Sequence, residues 1–203
     1  MSTAVKKEHK SARPERGGQA TLVEAIRQGI WEEMERDPTV FVIGEDVGAY
    51  GGAFKVTDGL IDQFGKERVV DTPISEGAIV GAACGAALMG MRPVAEFQFI
   101  DFISAGFDLL TNYAAKCRYR WGAGIPAVFR GPCGSGVRSG PFHFSQRGVV
   151  FPEHCGTEDR RAIDGLRCKR LDQGGDSRSG SGAVLRAQKT LSLAATARRA
   201  ALG

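Results

Sequence analysis

The alternation of short apolar runs with amphipathic segments constrains this chain more than any other feature. The run VFVIG at 40–44 contains only apolar residues and glycine, which is typical of a strand buried on both faces of a parallel sheet. Similar runs lie at 92–99 and 127–130, and a shorter one lies at 69–70. Strands that alternate with helical segments predict an α/β fold with a parallel sheet, with functional loops at the carboxyl ends of its strands.

The helical segments have clear starts and ends. Thr21 and Glu24 stand at capping-box spacing, so they predict the start of a helix that ends before Asp37-Pro38. Further helices are predicted at 57–65 and 101–121. The segment 76–90 is almost entirely small or apolar, which predicts a buried helix packed closely against a neighbour. It is too short to span a membrane.

Composition places the chain among ordinary globular proteins. Of its 203 residues, 42% are hydrophobic and 25% are charged. No apolar run reaches the length of a membrane span, and the basic, polar start of the chain does not resemble a secretory signal. The 5 cysteines are odd in number and lack CxxC spacing, which favours reduced thiols over a zinc site. We expect a single domain with no metal ligands.

The positive charge is concentrated at the two ends of the chain. Residues 1–19 hold Lys, Arg, Ser, Pro and Gly, which predicts a disordered arm. After Phe151 there is no aromatic residue, so the basic ends lack the stacking platforms of a nucleic-acid site. Residues 152–203 are therefore expected to pack poorly, although Ala, Leu, Arg and Gln favour short helices around Ala183–Ala201.

Single motifs say little about function. The sequence has no GxxxxGK[ST], HExxH or GxSxG motif, which argues against a P-loop ATPase, a zinc protease and an α/β-hydrolase. Taken alone, Glu76 is most simply a first-turn charge at a helix N-terminus. His143, after a glycine-rich loop, is most simply a surface histidine.

Three segments in combination are far more specific. GEDVGAYGGAFKVTDGL, ERVVDTPISEGAIVGAACGAALMGMRPVAEFQFIDF and DLLTNYAAKCRYRWG occur in this order. Together they resemble the β subunit of thiamine-diphosphate-dependent 2-oxoacid dehydrogenases, the decarboxylating component of the pyruvate and branched-chain complexes. The resemblance covers residues 20–143 and implies a pyrimidine-binding domain with a doubly wound, mostly parallel sheet. The second domain of the family is expected to be missing.

The resemblance implies a role for five residues. Glu76, in PISEG, matches the carboxylate that hydrogen-bonds the pyrimidine N1′ and so promotes loss of the thiazolium C2 proton. Phe102 lies where the family places an aromatic ring against the pyrimidine, and Ile74 fits an apolar contact with the same ring. Glu45, in GEDVG, is expected at a strand end that faces this pocket. His143 matches a histidine that acts near the substrate during reductive acylation, although FHFSQ stands where the family has a His-Ser dipeptide.

The resemblance also implies cofactors and partners. Thiamine diphosphate is the expected cofactor, with its diphosphate and magnesium bound mainly by an α subunit in a heterotetramer. A lipoyl-bearing acyltransferase is the expected next component, and neither nucleic acid nor a membrane is expected as a partner. AEFQFIDF leans toward branched-chain 2-oxoacids over pyruvate as substrates. The expected location is the cytoplasm, or the mitochondrial matrix in a eukaryote.

Beyond residue 143 the sequence departs from the family pattern. The family continues with a strand near GLKIVAP, whereas this chain reads CGTEDRRAIDG from 155. Back-translated codons for 155–193, read one base later, permit GLKIVAP followed by a further helix and strand. The same shift permits a serine directly after His143. We therefore hypothesise a single-base insertion near the codon for Phe144, so that 144–203 form an out-of-frame tail.

Two other functions remain open at the level of sequence. One is a related thiamine enzyme, such as a transketolase-like or deoxyxylulose-phosphate synthase protein. Those enzymes usually carry both thiamine domains on one long chain, whereas here the pyrimidine domain begins after about 20 residues. The other is an inactive remnant that serves as an interaction module. A neighbouring gene for an α subunit would favour the dehydrogenase, and its absence would favour the remnant.

Overall fold

The computed structural model describes residues 21–133, 158–162 and 184–189. Within these residues the strands are β1 (Val40–Gly44), β2 (Val69–Asp71), β3 (Arg92–Glu96), β4 (Val128–Cys133), β5 (Glu158–Ala162) and β6 (Val184–Lys189). The α-helices of the same ranges are α1 (Leu22–Arg36), α2 (Leu60–Phe64), α3 (Glu76–Leu88) and α4 (Ala115–Trp121). A 3₁₀ segment (Ile100–Gly106) and a π-helical segment (Leu109–Ala114) lie between β3 and α4.

The strands form one parallel sheet in the order β2-β1-β3-β4-β6-β5. Every pairing in it is parallel. Val42 of β1 pairs with Val69 of β2 on one side and with Val94 of β3 on the other. The chain thus runs outward from β1 to β2 and then crosses back to β3, so the strand order reverses beside β1.

Side chains that alternate along the strands build two hydrophobic layers. Val40 and Val42 of β1 pack with α1 and α2, against residues such as Trp31. Phe41 and Ile43 point to the opposite face and pack with α3 and with the segments that follow β3. Because every strand position of β1 is buried, the run VFVIG needs no polar face. The predicted doubly wound α/β fold is confirmed.

The predicted capping box at the start of α1 is present. The Thr21 hydroxyl accepts a hydrogen bond from the Glu24 backbone N–H at 3.2 Å, and the Glu24 carboxylate accepts one from the Thr21 backbone N–H at 2.7 Å. Two first-turn donors are thereby satisfied. The helix ends at Arg36, and Asp37 adopts an extended conformation before Pro38, as expected of a residue before proline.

The single long helix predicted over 101–121 is wrong. The structure divides this stretch into the 3₁₀ segment, the π-helical segment and α4. The cause is a close contact with α3: a Cβ added at Gly106 would lie 2.5 Å from Cγ2 of Val80. The Ser104 hydroxyl also donates to the Asp101 carbonyl inside the 3₁₀ turn. Tertiary packing here overrides the helical periodicity of the sequence.

The two strands β5 and β6 were not predicted. Composition favoured short helices around Ala183–Ala201, and this is wrong over Val184–Lys189, where β6 pairs with β4 along six residues. Backbone pairing with the edge of β4 outweighs the helix propensity of these residues. The predicted arm at 1–19, His143 and the rest of the tail lie outside the described residues.

Two cysteines lie inside the layer between the sheet and α3. Cys84 of α3 and Cys117 of α4 are both buried free thiols. Burial raises the pKa of Cys84 to about 12, and the neighbouring Cys117 adds to the rise. None of the helices in the described part of the chain is long and apolar enough to cross a membrane.

The strands β1 and β3 approach each other closely at the end of β1. A Cβ added at Gly44 would lie 2.4 Å from the backbone oxygen of Glu96 and 3.0 Å from a methyl group of Val47. Neither neighbour is the free end of a flexible side chain. Glycine is therefore required here so that β1 and β3 can pair up to their carboxyl ends.

Gly44→Ala should destabilise the domain by about 1–3 kcal/mol, because the added methyl group overpacks a backbone contact. Gly85→Ala is the control: nothing lies within 4 Å of a Cβ at Gly85, which is an exposed helical position. That substitution should be neutral or stabilise by up to about 1 kcal/mol. Urea unfolding of the full chain measures both, and equal effects at the two sites would contradict the close approach.

Candidate active site

Three loops meet where the strand order reverses. Glu45 follows β1, Glu76 follows the turn after β2, and the segment that carries Phe102 follows β3. In parallel α/β sheets the carboxyl ends of the strands at such a reversal form the usual ligand crevice. With Ile74, in the turn before Glu76, the fold thus gathers four of the five residues singled out from sequence at one edge of the sheet.

Glu45 is a buried carboxylate with incomplete hydrogen bonding. Its side chain accepts a hydrogen bond from the Ser75 backbone N–H, whereas its Oε1 atom has no hydrogen-bond partner among the described residues. The residue is 5% exposed. Burial raises the pKa of Glu45 above its ordinary value, and the charges of Glu76 and Asp46 raise it further. The site therefore holds two neighbouring carboxyl groups, one of which has a raised pKa.

Glu76 begins α3, as predicted, but it is less buried than expected. The sequence suggested a substantially buried side chain, whereas the residue is half-buried. The reason is its place at the rim of the sheet, where α3 starts beside an exposed turn. Ile74 in that turn is 82% exposed. Its apolar side chain projects from the same rim.

Phe102 lies on the 3₁₀ segment that packs against the start of α3. A Cβ added at Gly77 would lie 3.3 Å from the backbone oxygen of Ala105, so the first turn of α3 touches this segment. Phe102 itself is half-buried. The helix start with Glu76 and the segment with Phe102 are thus adjacent elements. His143, the fifth candidate, lies outside the described residues.

The loop after β1 is held by contacts that sequence reasoning did not find. Asp46 has a φ of 56°, a left-handed conformation that aspartate tolerates better than most residues. Its carboxylate accepts a hydrogen bond from the Gln98 side-chain amide at 2.7 Å. The Gly48 N–H donates to the Asp71 carboxylate at 2.6 Å. These bonds join the loop after β1 to the ends of both neighbouring strands.

A buried ion pair lies beside this loop. Glu96, the last residue of β3, is paired with Arg130 inside β4, and their side chains form a hydrogen-bonded salt bridge. Arg130 is 2% exposed. Burial raises the pKa of Glu96, and the Arg130 guanidinium offsets part of that rise. Sequence reasoning missed the pair, although opposite charges directly after two apolar stretches, in VAE and VFR, were a usable signal.

The described residues offer acid–base and stacking chemistry rather than a metal centre. Within them, no group of three or more His, Cys, Asp or Glu side chains could hold a metal ion. The edge of the sheet instead presents two carboxyl groups, a half-buried ring at Phe102 and an exposed aliphatic chain at Ile74. This set suits a flat heteroaromatic ring that both accepts and donates hydrogen bonds.

Residues 18–157 match the family model described as the pyrimidine-binding domain of transketolase. The match covers more than half of the chain. This chain belongs to the transketolase pyrimidine-binding domain family. The doubly wound sheet and the loops at its strand reversal are therefore those of a pyrimidine-binding domain.

Two curated relatives show where such a domain occurs. Over 140 residues, this pyrimidine-binding domain is 49% identical to the 2-oxoisovalerate dehydrogenase subunit beta of Bacillus subtilis, covering 67% of this chain and 42% of the relative. Over 127 residues it is 50% identical to the pyruvate dehydrogenase E1 component subunit beta of Rickettsia conorii, covering 62% of this chain and 39% of the relative. The chain thus spans about two fifths of the length of these relatives.

A solved structure supports the fold. It is described as split-gene transketolase, an inactive beta4 tetramer, and it superposes with a TM-score of 0.67. The superposition covers 86% of this chain and 53% of the solved chain at 17% sequence identity. This likeness concerns the fold of the pyrimidine-binding domain alone.

Glu76→Gln in this pyrimidine-binding domain should lower the pKa of Glu45, because it removes a neighbouring negative charge. The pKa should remain above its ordinary value, since burial is the larger cause. Carbon-detected NMR of ¹³C-labelled glutamate carboxyl groups measures the pKa of Glu45 in the unsubstituted chain and in the Glu76→Gln variant. The control is Glu32→Gln on α1, which removes one negative charge away from the site and should leave the pKa of Glu45 unchanged. An unmoved pKa in the Glu76 variant would show that the two carboxyl groups do not interact.

Arg130→Met should destabilise the pyrimidine-binding domain by about 3–5 kcal/mol, because it leaves the buried Glu96 carboxylate without its partner charge. The double variant Glu96→Gln with Arg130→Met removes both charges and should cost clearly less. Denaturant unfolding at neutral pH gives both values. A double variant as unstable as the single one would mean that packing, rather than charge, decides the stability of this pair.

Proposed function

We propose that this chain supplies the aminopyrimidine-binding half of a thiamine diphosphate site, as the β subunit of a 2-oxoacid dehydrogenase. One observation carries the proposal: Glu45, Glu76 and the Phe102 segment converge at the strand reversal of a pyrimidine-binding domain. The names of the relatives at 49% and 50% identity support the reaction class.

The residues fit an aminopyrimidine ring. Glu76, half-buried at the start of α3, offers a carboxyl oxygen for the ring nitrogen N1′. Phe102 offers a ring face for stacking, and the exposed Ile74 offers an apolar contact on the rim. Glu45 has an oxygen with no hydrogen-bond partner among the described residues, so this buried atom is available to a ligand.

The carboxyl pair suits proton transfer at this ring. Glu76 would hold a proton at the ring nitrogen of a bound cofactor, and the adjacent Glu45, whose pKa is raised, would add negative charge only when it ionises. The partly buried setting keeps bulk water from competing for these hydrogen bonds. The bound cofactor supplies the electron sink that makes decarboxylation of a 2-oxoacid feasible.

The remaining roles belong to other parts of a larger assembly. An α subunit would bind the diphosphate and its magnesium, and a lipoyl-bearing acyltransferase would accept the acyl group. His143 would act near the substrate in that transfer. Branched-chain 2-oxoacids are the favoured substrates and pyruvate is the next. The cytoplasm, or the mitochondrial matrix in a eukaryote, is the proposed compartment.

We also propose a division of the chain. Residues 1–19 form an arm, 20–143 form the cofactor-binding unit, and 144–203 derive from a shifted reading frame. The change from family-like sequence to CGTEDRRAIDG supports the third part. DNA reads across the codon for Phe144 test it, because a gene without an extra base at that point would refute the shift.

Saturation-transfer NMR tests the cofactor half-site directly. The pyrimidine methyl and ring protons of thiamine diphosphate should receive stronger saturation from this chain than the thiazolium protons, because the chain contacts only the pyrimidine. Phe102→Ala should reduce that transfer at least about threefold, since stacking on the ring is lost. Phe64→Ala, on the opposite face of the sheet, should not.

Two further observations complete this test. The isolated hydroxyethylthiazole fragment should receive no saturation, whereas the aminopyrimidine fragment should. Equal saturation of both halves of the cofactor, or none on the pyrimidine, would refute the proposed half-site.

A further inference from the structure

Three phenylalanine rings form a continuous chain beside the proposed site. Phe54, on the loop after β1, meets Phe99 edge-to-face with ring centroids 5.6 Å apart and an interplanar angle of 85°. Phe99 meets Phe102 in the same way, at 6.0 Å and 88°. Edge-to-face pairs at these distances are attractive because the positive ring edge faces the negative ring face. The loop after β1 is thereby linked to the ring proposed to stack on the cofactor.

The backbone that carries Phe99 and Phe102 is fixed independently. The side-chain amide of the preceding Gln98 donates a hydrogen bond to the Asp46 carboxylate. The following Ile100 is buried, and its backbone nitrogen would lie 3.0 Å from a Cβ added at Gly131. The Phe102 N–H donates to the Phe99 carbonyl at 3.1 Å. What remains adjustable in this segment is therefore the rotation of the side chains.

The other end of the chain of rings is also fixed. Phe54 lies in a loop whose turns are closed by backbone bonds, from the Gly52 N–H to the Asp46 carbonyl at 2.8 Å and from the Lys55 N–H to the Gly52 carbonyl at 3.1 Å. Lys55 has a φ of 60°, and its ammonium group donates to the Tyr50 carbonyl. A loop held in this way can act as a fixed support for the ring of Phe54.

We propose that Phe54 and Phe99 are positioning residues that hold the ring of Phe102 in a single orientation. The inference rests on the proposed function, in which Phe102 stacks on the aminopyrimidine. A half-buried phenylalanine on a 3₁₀ turn has several accessible side-chain orientations. Two successive edge contacts select one of them before any ligand arrives. Pre-ordering of this kind improves affinity because less freedom is lost on binding.

The test begins with a probe on Phe102 itself. 4-Fluorophenylalanine placed at position 102 of the full chain gives a ¹⁹F signal that reports the surroundings of this ring without any ligand. Phe99→Leu and Phe54→Leu should broaden or shift that signal. Phe54→Tyr, which keeps the ring, should preserve it.

The matched control is Phe64→Leu. Phe64 forms the same kind of edge contact with Trp31, at 5.4 Å, but on the opposite face of the sheet. Its loss should leave the ¹⁹F signal at position 102 unchanged, although it removes one aromatic pair from the domain. If Phe99→Leu lowers the midpoint of unfolding, its effect on the ¹⁹F signal could come from loss of the fold. Phe54→Leu, on the loop after β1, then tests the same signal independently.

Binding of thiamine diphosphate forms the second arm. Phe99→Leu should weaken it about threefold to tenfold, the effect expected from one aromatic contact, and Phe64→Leu should not. An unchanged ¹⁹F signal in both Phe99→Leu and Phe54→Leu would overturn the positioning role, whatever the binding result. If the ¹⁹F signal responds as expected but the unsubstituted chain binds no thiamine diphosphate, the positioning role stands and the proposed function fails.

Discussion

The contact on which the rest of the structure depends is the parallel pairing of β1 with β3. It places the strand reversal beside β1 and brings the loops after the first three strands to one edge. The pairing extends to the carboxyl ends only because Gly44 has no side chain where the Glu96 carbonyl approaches. A wider gap there would separate Glu45 from the segment that carries Phe102.

Two buried carboxyl groups at this edge, those of Glu96 and Glu45, have different electrostatic surroundings. Glu96 is paired with Arg130, which offsets part of its cost of burial inside the fold. Glu45 has no such cation among the causes of its shift and lies beside Glu76, so burial and repulsion both favour its neutral form. The first arrangement links β3 to β4 through their side chains. The second places the Glu45 carboxyl group, with its raised pKa, where a ligand would be bound. Burying this group without a partner cation lowers the stability of the fold.

The sequence was sufficient for those parts of the fold whose signals are local. The apolar run at β1 and the capping box at Thr21 depend on neighbouring residues alone, and both appear as predicted. The broken helix after β3 and the strand β6 depend on contacts with distant partners, so periodicity and propensity could not reveal them. Glu45 and Glu76 were found through resemblance to a family. The bond from Gln98 to Asp46 spans 52 positions and has no local signature.

The two thiols beneath α3 give the domain a chemical property of its own. A thiol must lose its proton to react, and burial raises the pKa of Cys84 to about 12, so its thiolate is strongly disfavoured at neutral pH. Cys84 should therefore be unreactive toward oxidants and alkylating reagents while it remains buried in the core. Oxidation or alkylation of Cys84 would require the fold to open, so its modification would report unfolding rather than redox conditions.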